Sequence, residues 1–334
     1  MVDLSAANDF VATHARLLER RRFGLLTGQA TPAQVVTALM AYRNPDGGFG
    51  SGLEPDLRSA SSQPVGALGA FEVLGELATT AGAIVEPGLV AQTMDWLDSV
   101  TRSDGGVPFV LPSAADAAYA PQWTPEPDPG SSLHLTAAVA AGAHRIAGAG
   151  SKSDVSGGVG SGPAAHPWLR RATGYCWSRL TDGYRPAHAI ELRYVVEFLD
   201  AVPDRERARA VLESTIRPHV PAGGDLAVAG GAEGERQTTT DLSPLPDAAS
   251  RALFDPRAVD RDLSLLAAGQ RADGGWTVDW APFSELSDLE WRGIVTVRTL
   301  RVLAANGRVD LPGVPGGAAR ARRDQGNDDQ ENAG

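Results

Sequence analysis

The sequence has a single cysteine, fewer basic than acidic residues, and no long apolar run. Cys176 alone excludes an internal disulfide framework and is typical of the reducing cytoplasm, where we expect the protein to be located. The net charge of -11 lacks the basic footprint of nonspecific nucleic-acid binding, so we expect no nucleic-acid partner. No apolar run approaches the roughly 18 residues of a membrane span, which leaves a peripheral membrane contact open.

Several catalytic and cofactor signatures are absent as well. The chain contains no P-loop and no GxGxxG, GxSxG or HExxH pattern. Histidines without a partner at ligand spacing do not indicate a metal site. We therefore predict neither a cofactor nor a bound metal.

What is present is a repeated unit of helix, glycine-rich loop and helix. In residues 266–303 an apolar helical run ends at Gln270, the turn Asp273-Gly-Gly follows, and apolar residues at helical spacing resume after Asp288. Paired glycines stop a helix because they tolerate positive φ angles. The other copies occupy residues 30–77, residues 90–146 and a stretch that begins at His166.

The repeats predict one all-α domain over residues 1–312, opened by a helix over residues 3–27. A flexible Gly/Ser-rich loop is expected at about 147–164 and a disordered tail at 313–334. Repeated helical hairpins are typical of a closed toroid or a solenoid. In a closed toroid the second helices form an inner ring, and their N-termini meet at one mouth. The sequence does not indicate an oligomeric state.

An acid-x-acid-x-Arg motif precedes the second helix of the first and last copies. The motif residues are Glu54, Asp56 and Arg58 in the first copy, and Asp288, Glu290 and Arg292 in the last. Partial copies are Glu126-Pro-Asp128 and Glu191-Leu-Arg193. We predict that each motif lies where a loop enters the second helix, so that a toroid would bring these distant residues together at its mouth.

These acids have a structural and a catalytic interpretation. Acids at helix starts cap the helix and pair with nearby arginines such as Arg58, Arg193 and Arg292. Alternatively, crowded carboxylates raise one another's pKa, and a protonated acid can protonate an alkene or epoxide. Asp56 and Glu290 are the leading proton-donor candidates, and Glu54 is the third.

Aromatic residues near the predicted mouth are candidates for contact with a ligand, because aromatic faces stabilise cations. Trp276 and Phe49 are instead expected to pack between hairpins. The substrate-binding candidates are Arg58, Arg292, Asp288, Trp291, Trp280, Trp123, Glu191 and Arg193.

Two motifs resemble those of a known superfamily. Gln270-x-x-Asp273-Gly-Gly-Trp276 resembles the QW repeat of squalene-hopene cyclases and related terpene cyclases. Glu54-x-Asp56-x-Arg58 resembles the motif that opens an inner helix in protein prenyltransferase β subunits. Both groups belong to the prenyltransferase and squalene-oxidase-repeat superfamily. The resemblance covers roughly residues 30–305 and implies an α/α toroid of about five or six hairpins around an apolar cavity.

The chain departs from the catalytic motifs of this superfamily. It has neither the DxDD acid of class II terpene cyclases nor the DDxxD metal motif of class I synthases at an inner helix. Glu290 stands where protein prenyltransferases have a zinc-binding cysteine, so a zinc-dependent thiol alkylation is not expected.

The resemblance implies a terpene cyclase-like enzyme of the isomerase or lyase type. Its expected ligand is a small, apolar isoprenoid-type molecule, converted by acid-initiated, class II-like chemistry. Asp56 or Glu290 would donate the proton, and Arg58 and Arg292 would orient the acids or an anionic head group. Two alternatives stay open: a non-catalytic toroid that binds an apolar ligand or a peptide, and a carbohydrate-active α/α barrel with paired carboxylates.

Overall fold

The computed structural model describes residues 1–80, 85–150 and 163–314 and shows an all-α fold. The first four helices are α1 Leu4–His14, α2 Leu17–Leu26, α3 Pro32–Leu39 and α4 Pro64–Thr80. The next four are α5 Pro87–Val100, α6 Leu133–Gly150, α7 Pro167–Arg179 and α8 Ala189–Ala201. The last four are α9 Arg205–Val211, α10 Thr239–Leu242, α11 Pro256–Ala268 and α12 Glu285–Ala305.

Two short antiparallel ribbons lie in the loops between helices. Strand β1 (Val107–Pro108) pairs with β2 (Ser131–Ser132) in the register Val107↔Ser132. Strand β3 (Leu226–Ala227) pairs with β4 (Arg236–Gln237) in the register Leu226↔Gln237. Each ribbon has only two residues per strand, so the core is built by helices.

Each sequence-predicted hairpin is present as a pair of helices, which confirms the all-α prediction. The pairs are α3 with α4, α5 with α6, α7 with α8, and α11 with α12. The second helices pack in succession, α4 on α6, α6 on α8 and α8 on α10, while α12 packs on α1, α2 and α11. The closed toroid stays a prediction.

Small residues on the second helices permit a close approach. A Cβ atom on Gly142 of α6 would lie 2.7 Å from the Cβ of Phe71 on α4. Gly66 on α4 and Ala137 on α6 are also buried. No helix in the described ranges is both long enough and apolar enough to cross a bilayer.

Three of the hairpins contain the same tight turn. In each, the aspartate carboxylate accepts a hydrogen bond from the N–H of the second glycine. The pairs are Asp46–Gly48, Asp104–Gly106 and Asp273–Gly275, at 2.9, 3.0 and 3.1 Å. The first glycines, Gly47, Gly105 and Gly274, have φ angles of 93°, 90° and 92°. The repeated Asp-Gly-Gly sequence is therefore explained by one backbone conformation that favours glycine.

The first two of these turns pack on the first helix of the following hairpin, and the last packs on α1. A Cβ atom added to Gly47 would lie 2.8 Å from the carbonyl oxygen of Gln92 on α5. One added to Gly105 would lie 2.9 Å from that of Arg171 on α7, and one added to Gly274 would lie 2.0 Å from that of Ala6 on α1. The last turn thus packs on α1 as the earlier turns pack on α5 and α7. The start of the chain, in α1, therefore lies against the last hairpin.

The Gln and Trp of the QW-like motif stabilise this final joint. The Gln270 side chain accepts from the backbone N–H of Asp3 and donates to its carbonyl, both at 2.7 Å. Trp276 is 3% exposed and donates from Nε1 to the carbonyl of Leu266 at 2.7 Å. Trp276 and the fully buried Phe49 therefore pack between helices, as expected.

The described chain differs from the sequence-based boundaries in three helical regions. The helix expected over residues 3–27 is broken at Ala15 and Arg16, whose ψ angles of 155° and 161° are extended. Helix α4 begins at Pro64 rather than near Ser59, because a residue before proline disfavours the helical conformation. Helix α6 continues to Gly150, so the first four residues of the expected 147–164 loop are helical.

Most of the remaining predicted loop and tail lies outside the described residues, namely 151–162 and 315–334. Gly313, at the start of the predicted tail, is described and donates its N–H to the carbonyl of Leu26 on α2 at 2.9 Å. This part of the tail is therefore held against the domain.

We predict that Gly274→Ala lowers the free energy of unfolding by about 2 to 4 kcal/mol, because the new methyl group meets both a positive φ and the backbone of α1. Gly307→Ala is the matched control, since Gly307 also has positive φ but has no atom within 4 Å of a new Cβ. The control should lose only about 1 kcal/mol. Urea unfolding of both variants measures the difference, and equal losses would contradict the packing role of this turn.

Candidate functional site

The loop that carries Glu54, Asp56 and Arg58 lies ahead of α4 rather than at its first turn. It is fixed against a second loop: the N–H of Arg58 donates to the carbonyl of Ala118, and the N–H of Ala120 donates to that of Asp56, each at 2.9 Å. The prediction that this motif opens the inner helix is therefore wrong. The helix cannot begin earlier because Pro64 follows the loop.

The last motif, by contrast, lies in the first turns of α12, and the two motifs meet. Asp56 is 1% exposed and accepts two hydrogen bonds. Its Oδ2 accepts from the indole Nε1 of Trp291 at 2.9 Å, and its Oδ1 accepts from the backbone N–H of Phe283 at 3.2 Å. Both carboxylate oxygens of Asp56 therefore accept from N–H donors, and one of these bonds fixes the position of the Trp291 indole.

Glu290 forms an ion pair with the arginine of the other motif. Its Oε2 lies 2.8 Å from Nη1 of Arg58, and both side chains are largely buried. An adjacent guanidinium stabilises the carboxylate. The two motifs therefore meet, as predicted. The pairing of Glu290 with Arg58 agrees with the interpretation that these acids pair with nearby arginines.

Glu54 differs from its two neighbours because it has no ion-pair partner among the described residues. Its nearest polar contact is the backbone N–H of Asp56, at 3.4 Å from Oε1. Burial raises the pKa of Glu54 to about 8, and the nearby Asp56 carboxylate adds to the rise. Arg16 opposes the rise in pKa.

The Arg16 guanidinium, which opposes this rise in pKa, is hydrogen-bonded to other groups. It donates to both carboxylate oxygens of Glu19, at 2.8 and 3.0 Å, and to the carbonyls of Gly52 and Leu53, at 2.9 and 3.1 Å. These contacts hold the loop in place just before Glu54. The arrangement leaves Glu54 mostly protonated at neutral pH, as a hydrogen-bond and proton donor.

Two pairs of aromatic side chains lie near these acids. Trp291, in the first turns of α12, packs edge-to-face against Trp280 of the preceding loop, with ring centroids 5.1 Å apart. In the loop that contacts Asp56 and Arg58, Trp123 stacks on Phe109 with centroids 4.7 Å apart. A cavity of about 10 Å³, room for one water molecule, is lined by Leu53, Glu54, Leu57 and Gln63, among other residues.

The Trp123 pair continues as a column of rings into the second helices. Phe109 meets His134 of α6 at 5.3 Å, and His134 stacks on Tyr194 of α8 at 4.9 Å between centroids. His188 is 5.4 Å from His134. Burial lowers the pKa of His134 to about 3, with further contributions from His188 and Arg193, so this imidazole is neutral at physiological pH.

A charged cluster joins side chains of α2, α4, α6, α8, α10 and α12. Glu76 of α4 binds Arg22 of α2 through contacts of 2.5 and 2.9 Å. Glu197 of α8 binds Arg145 of α6 at 2.8 Å and Arg193 of its own helix at 3.1 Å. The remaining members are Glu72 of α4, Asp241 of α10, and Arg298 and Arg301 of α12. The apolar interior that the resemblance implies is therefore replaced by charged side chains where these helices meet.

Glu72 is the unpaired acid of this cluster. None of the described residues gives it a hydrogen bond or an ion pair at contact distance. Burial raises its pKa, and Glu197 adds to the rise, while Arg193, Arg298 and Arg22 oppose it. Glu72 also raises the pKa of Glu54, which connects the charged cluster electrostatically to the loop site.

The other sequence-predicted binding residues have structural partners. Arg292 donates to both carboxylate oxygens of Asp273 at 2.9 and 2.7 Å, and so supports the last Asp-Gly-Gly turn instead of joining Glu54. Glu191 accepts from the N–H of Ala187 at 3.0 Å and from the hydroxyl of Tyr184 at 3.3 Å. Asp288 lies in the first turn of α12, where a negative charge stabilises the helix.

Sequence reasoning missed the charged cluster, although a signal was present. Glu72 and Glu76 interrupt an otherwise apolar α4 at a spacing of four residues, and Arg298 and Arg301 recur three residues apart on α12. Such spacings place charges on one face of a helix. A charged face on an otherwise buried inner helix indicates a polar interior.

No group of three or more metal-ligating side chains occurs in the described part of the chain. A scan of the sequence against models of protein families gives no match, and a search of curated proteins gives none. Function is therefore inferred from the geometry of the site itself.

The raised pKa of Glu54 predicts a pH dependence of stability. Between the ordinary glutamate pKa of 4.5 and about 8, the folded chain holds a proton that the unfolded chain releases, so stability falls as pH rises across this range. Glu54→Gln keeps a neutral side chain. The melting temperature of Glu54→Gln minus that of the unmodified protein should therefore be higher at pH 9 than at pH 5. The expected change is at least about 2 °C, the shift that corresponds to roughly 1 kcal/mol.

Glu233→Gln is the control for this measurement, because Glu233 is exposed. Thermal melting in matched buffers at each pH compares the three proteins. A difference between Glu54→Gln and the unmodified protein that stays constant from pH 5 to pH 9 would contradict the raised pKa.

Proposed function

We propose that this protein is an enzyme that acts on an apolar, isoprenoid-type substrate by acid-initiated chemistry, with Glu54 as the proton donor. The observation that carries the proposal is the state of three neighbouring acids. Asp56 and Glu290 are held by hydrogen bonds or an arginine, whereas Glu54 has no ion-pair partner and a pKa raised to about 8.

The pKa of Glu54 suits a general acid. A catalytic acid works best when its pKa lies near the operating pH, because it is then protonated yet able to release the proton. After transfer, the Glu54 carboxylate would be destabilised by the same burial, so it would readily recover a proton. This replaces the expectation that Asp56 or Glu290 is the donor, and it assigns these two residues to the support of the loop and of Trp291.

The aromatic pairs support an apolar substrate that becomes cationic. Trp291 is held by Asp56, two residues from Glu54, and Trp280 packs against its edge. Indole faces attract positive charge and offer apolar area to a hydrocarbon chain. Because the described interior is charged, the proposed substrate lies against these loops at the mouth rather than deep among the inner helices.

The test is product analysis after incubation with farnesyl diphosphate, geranylgeranyl diphosphate and squalene. Glu54→Gln should lower turnover by about 10²-fold or more, the usual contribution of a general acid. Asp56→Asn should lower it less, since an amide oxygen still accepts from Trp291. Glu233→Gln should leave turnover unchanged. Turnover that is equal in Glu54→Gln and in the unmodified protein would contradict the assignment of the acid.

A second candidate function is non-catalytic binding of an apolar ligand or a peptide. It is favoured by the pairing of most interior acids with arginines, as in Glu290 with Arg58 and Glu76 with Arg22. The same incubations separate the two functions. Saturable binding of a substrate without any product, equal in the Glu54→Gln variant, would support the binding protein and contradict the enzyme.

A further inference from the structure

Two arginines of α12 have fewer hydrogen-bond acceptors than their donors require. Arg298 and Arg301 lie three residues apart, which places them on neighbouring positions of one helix face. Their nearest acidic atoms are Oδ1 of Asp241 and Oε1 of Glu76, each at 3.5 Å. That separation is longer than an ordinary N–H···O hydrogen bond. Neither guanidinium donates a hydrogen bond to a described residue, and Nε of Arg301 is buried without a partner.

The acids beside these arginines are engaged to different degrees. Both carboxylate oxygens of Glu76 accept hydrogen bonds from Arg22, at 2.5 and 2.9 Å. Oδ2 of Asp241 accepts from the backbone N–H and the hydroxyl of Thr238, at 2.9 and 2.7 Å, whereas its Oδ1 lies 3.5 Å from Arg298. Because a guanidinium has five N–H donors, the acceptors that the described residues do not supply to Arg298 and Arg301 come from water or from a bound anion.

Arginine side chains are concentrated in this cluster. It contains Arg22, Arg145, Arg193, Arg298 and Arg301 together with Glu72, Glu76, Glu197 and Asp241, and Glu19 contacts Arg22 at 3.6 Å while it also binds Arg16. Burial and the nearby Arg193 lower the pKa of Arg298, while burial raises that of Glu72.

The arginines remain reachable from solvent. The side chains of Arg298 and Arg301 are 29% and 27% exposed, so an accessible space lies beside them. A planar guanidinium matches two oxygens of a carboxylate or phosphate group through parallel N–H···O bonds. We propose that Arg298 and Arg301, with Arg193 beside them, form a binding site for a small oxyanion, either a carboxylate or a phosphate group.

This site is separate from the proton-donor role of Glu54 and does not depend on it. The experiment is isothermal titration calorimetry of the full chain with sodium phosphate and, separately, sodium acetate, at constant ionic strength maintained with sodium chloride. We expect saturable binding of at least one of the two anions, weakened ten-fold or more in Arg298→Gln. The anion that binds more tightly identifies whether the natural group is a phosphate or a carboxylate.

Arg257→Gln is the matched control, because Arg257 is an exposed arginine of the outer helix α11. It removes the same charge and should bind the anion as the unmodified protein does. Arg298→Lys keeps the charge without the planar fork and should bind with intermediate affinity. Circular dichroism checks that each variant is folded, and Arg301→Gln replaces Arg298→Gln if the latter unfolds. Absence of saturable binding of either anion, or equal affinity in the folded arginine-to-glutamine variants of α12, would overturn the proposal.

Discussion

The close approach of each turn glycine to a neighbouring helix is the constraint on which this structure depends. In three hairpins the first glycine of Asp-Gly-Gly leaves no room for a Cβ atom beside a helix carbonyl, and the aspartate fixes the turn through the following N–H. Because the last of these contacts is made with α1, the start of the chain packs against the last hairpin. Gln270 reinforces this joint by pairing with the backbone of Asp3 in both directions.

The candidate site follows from this arrangement. The joint places α1 and α2 against α12, and Arg16, between α1 and α2, binds the carbonyls just before Glu54. The loop of the first hairpin therefore lies beside the first turns of the last one, and Asp56 reaches Trp291. Acids that are far apart in sequence meet here with different partners. Asp56 accepts from two N–H groups and Glu290 pairs with an arginine, whereas Glu54 has no ion-pair partner among the described residues. This difference in partners, rather than the residue type, makes Glu54 the candidate proton donor.

Sequence patterns predicted the features of the fold that depend on residues close together in the chain. Helical periodicity located the hairpins, Asp-Gly-Gly located the turns, and the burial of Trp276 was expected because large aromatic residues usually serve as core area. The meeting of the two acidic motifs was also predicted, although on the wrong premise that both open a helix. What the sequence could not provide was the pairing of each acid, since the burial of Glu54 and the arginine beside Glu290 depend on long-range contacts. Arg298 and Arg301 of α12 were not among the predicted site residues, because charges on a helix usually face solvent.

The central claim is that Glu54 holds a proton at neutral pH, because burial and the nearby Asp56 carboxylate raise its pKa to about 8. The most direct test is a pH titration of the glutamate side-chain carboxyl carbons by NMR in protein labelled with ¹³C-glutamate, with the Glu54 resonance identified by its loss in Glu54→Gln. The account predicts a midpoint near 8 for this carboxyl, well above the ordinary glutamate value of 4.5. A midpoint close to that ordinary value would show that Glu54 is ionised at neutral pH and would contradict its assignment as the acid.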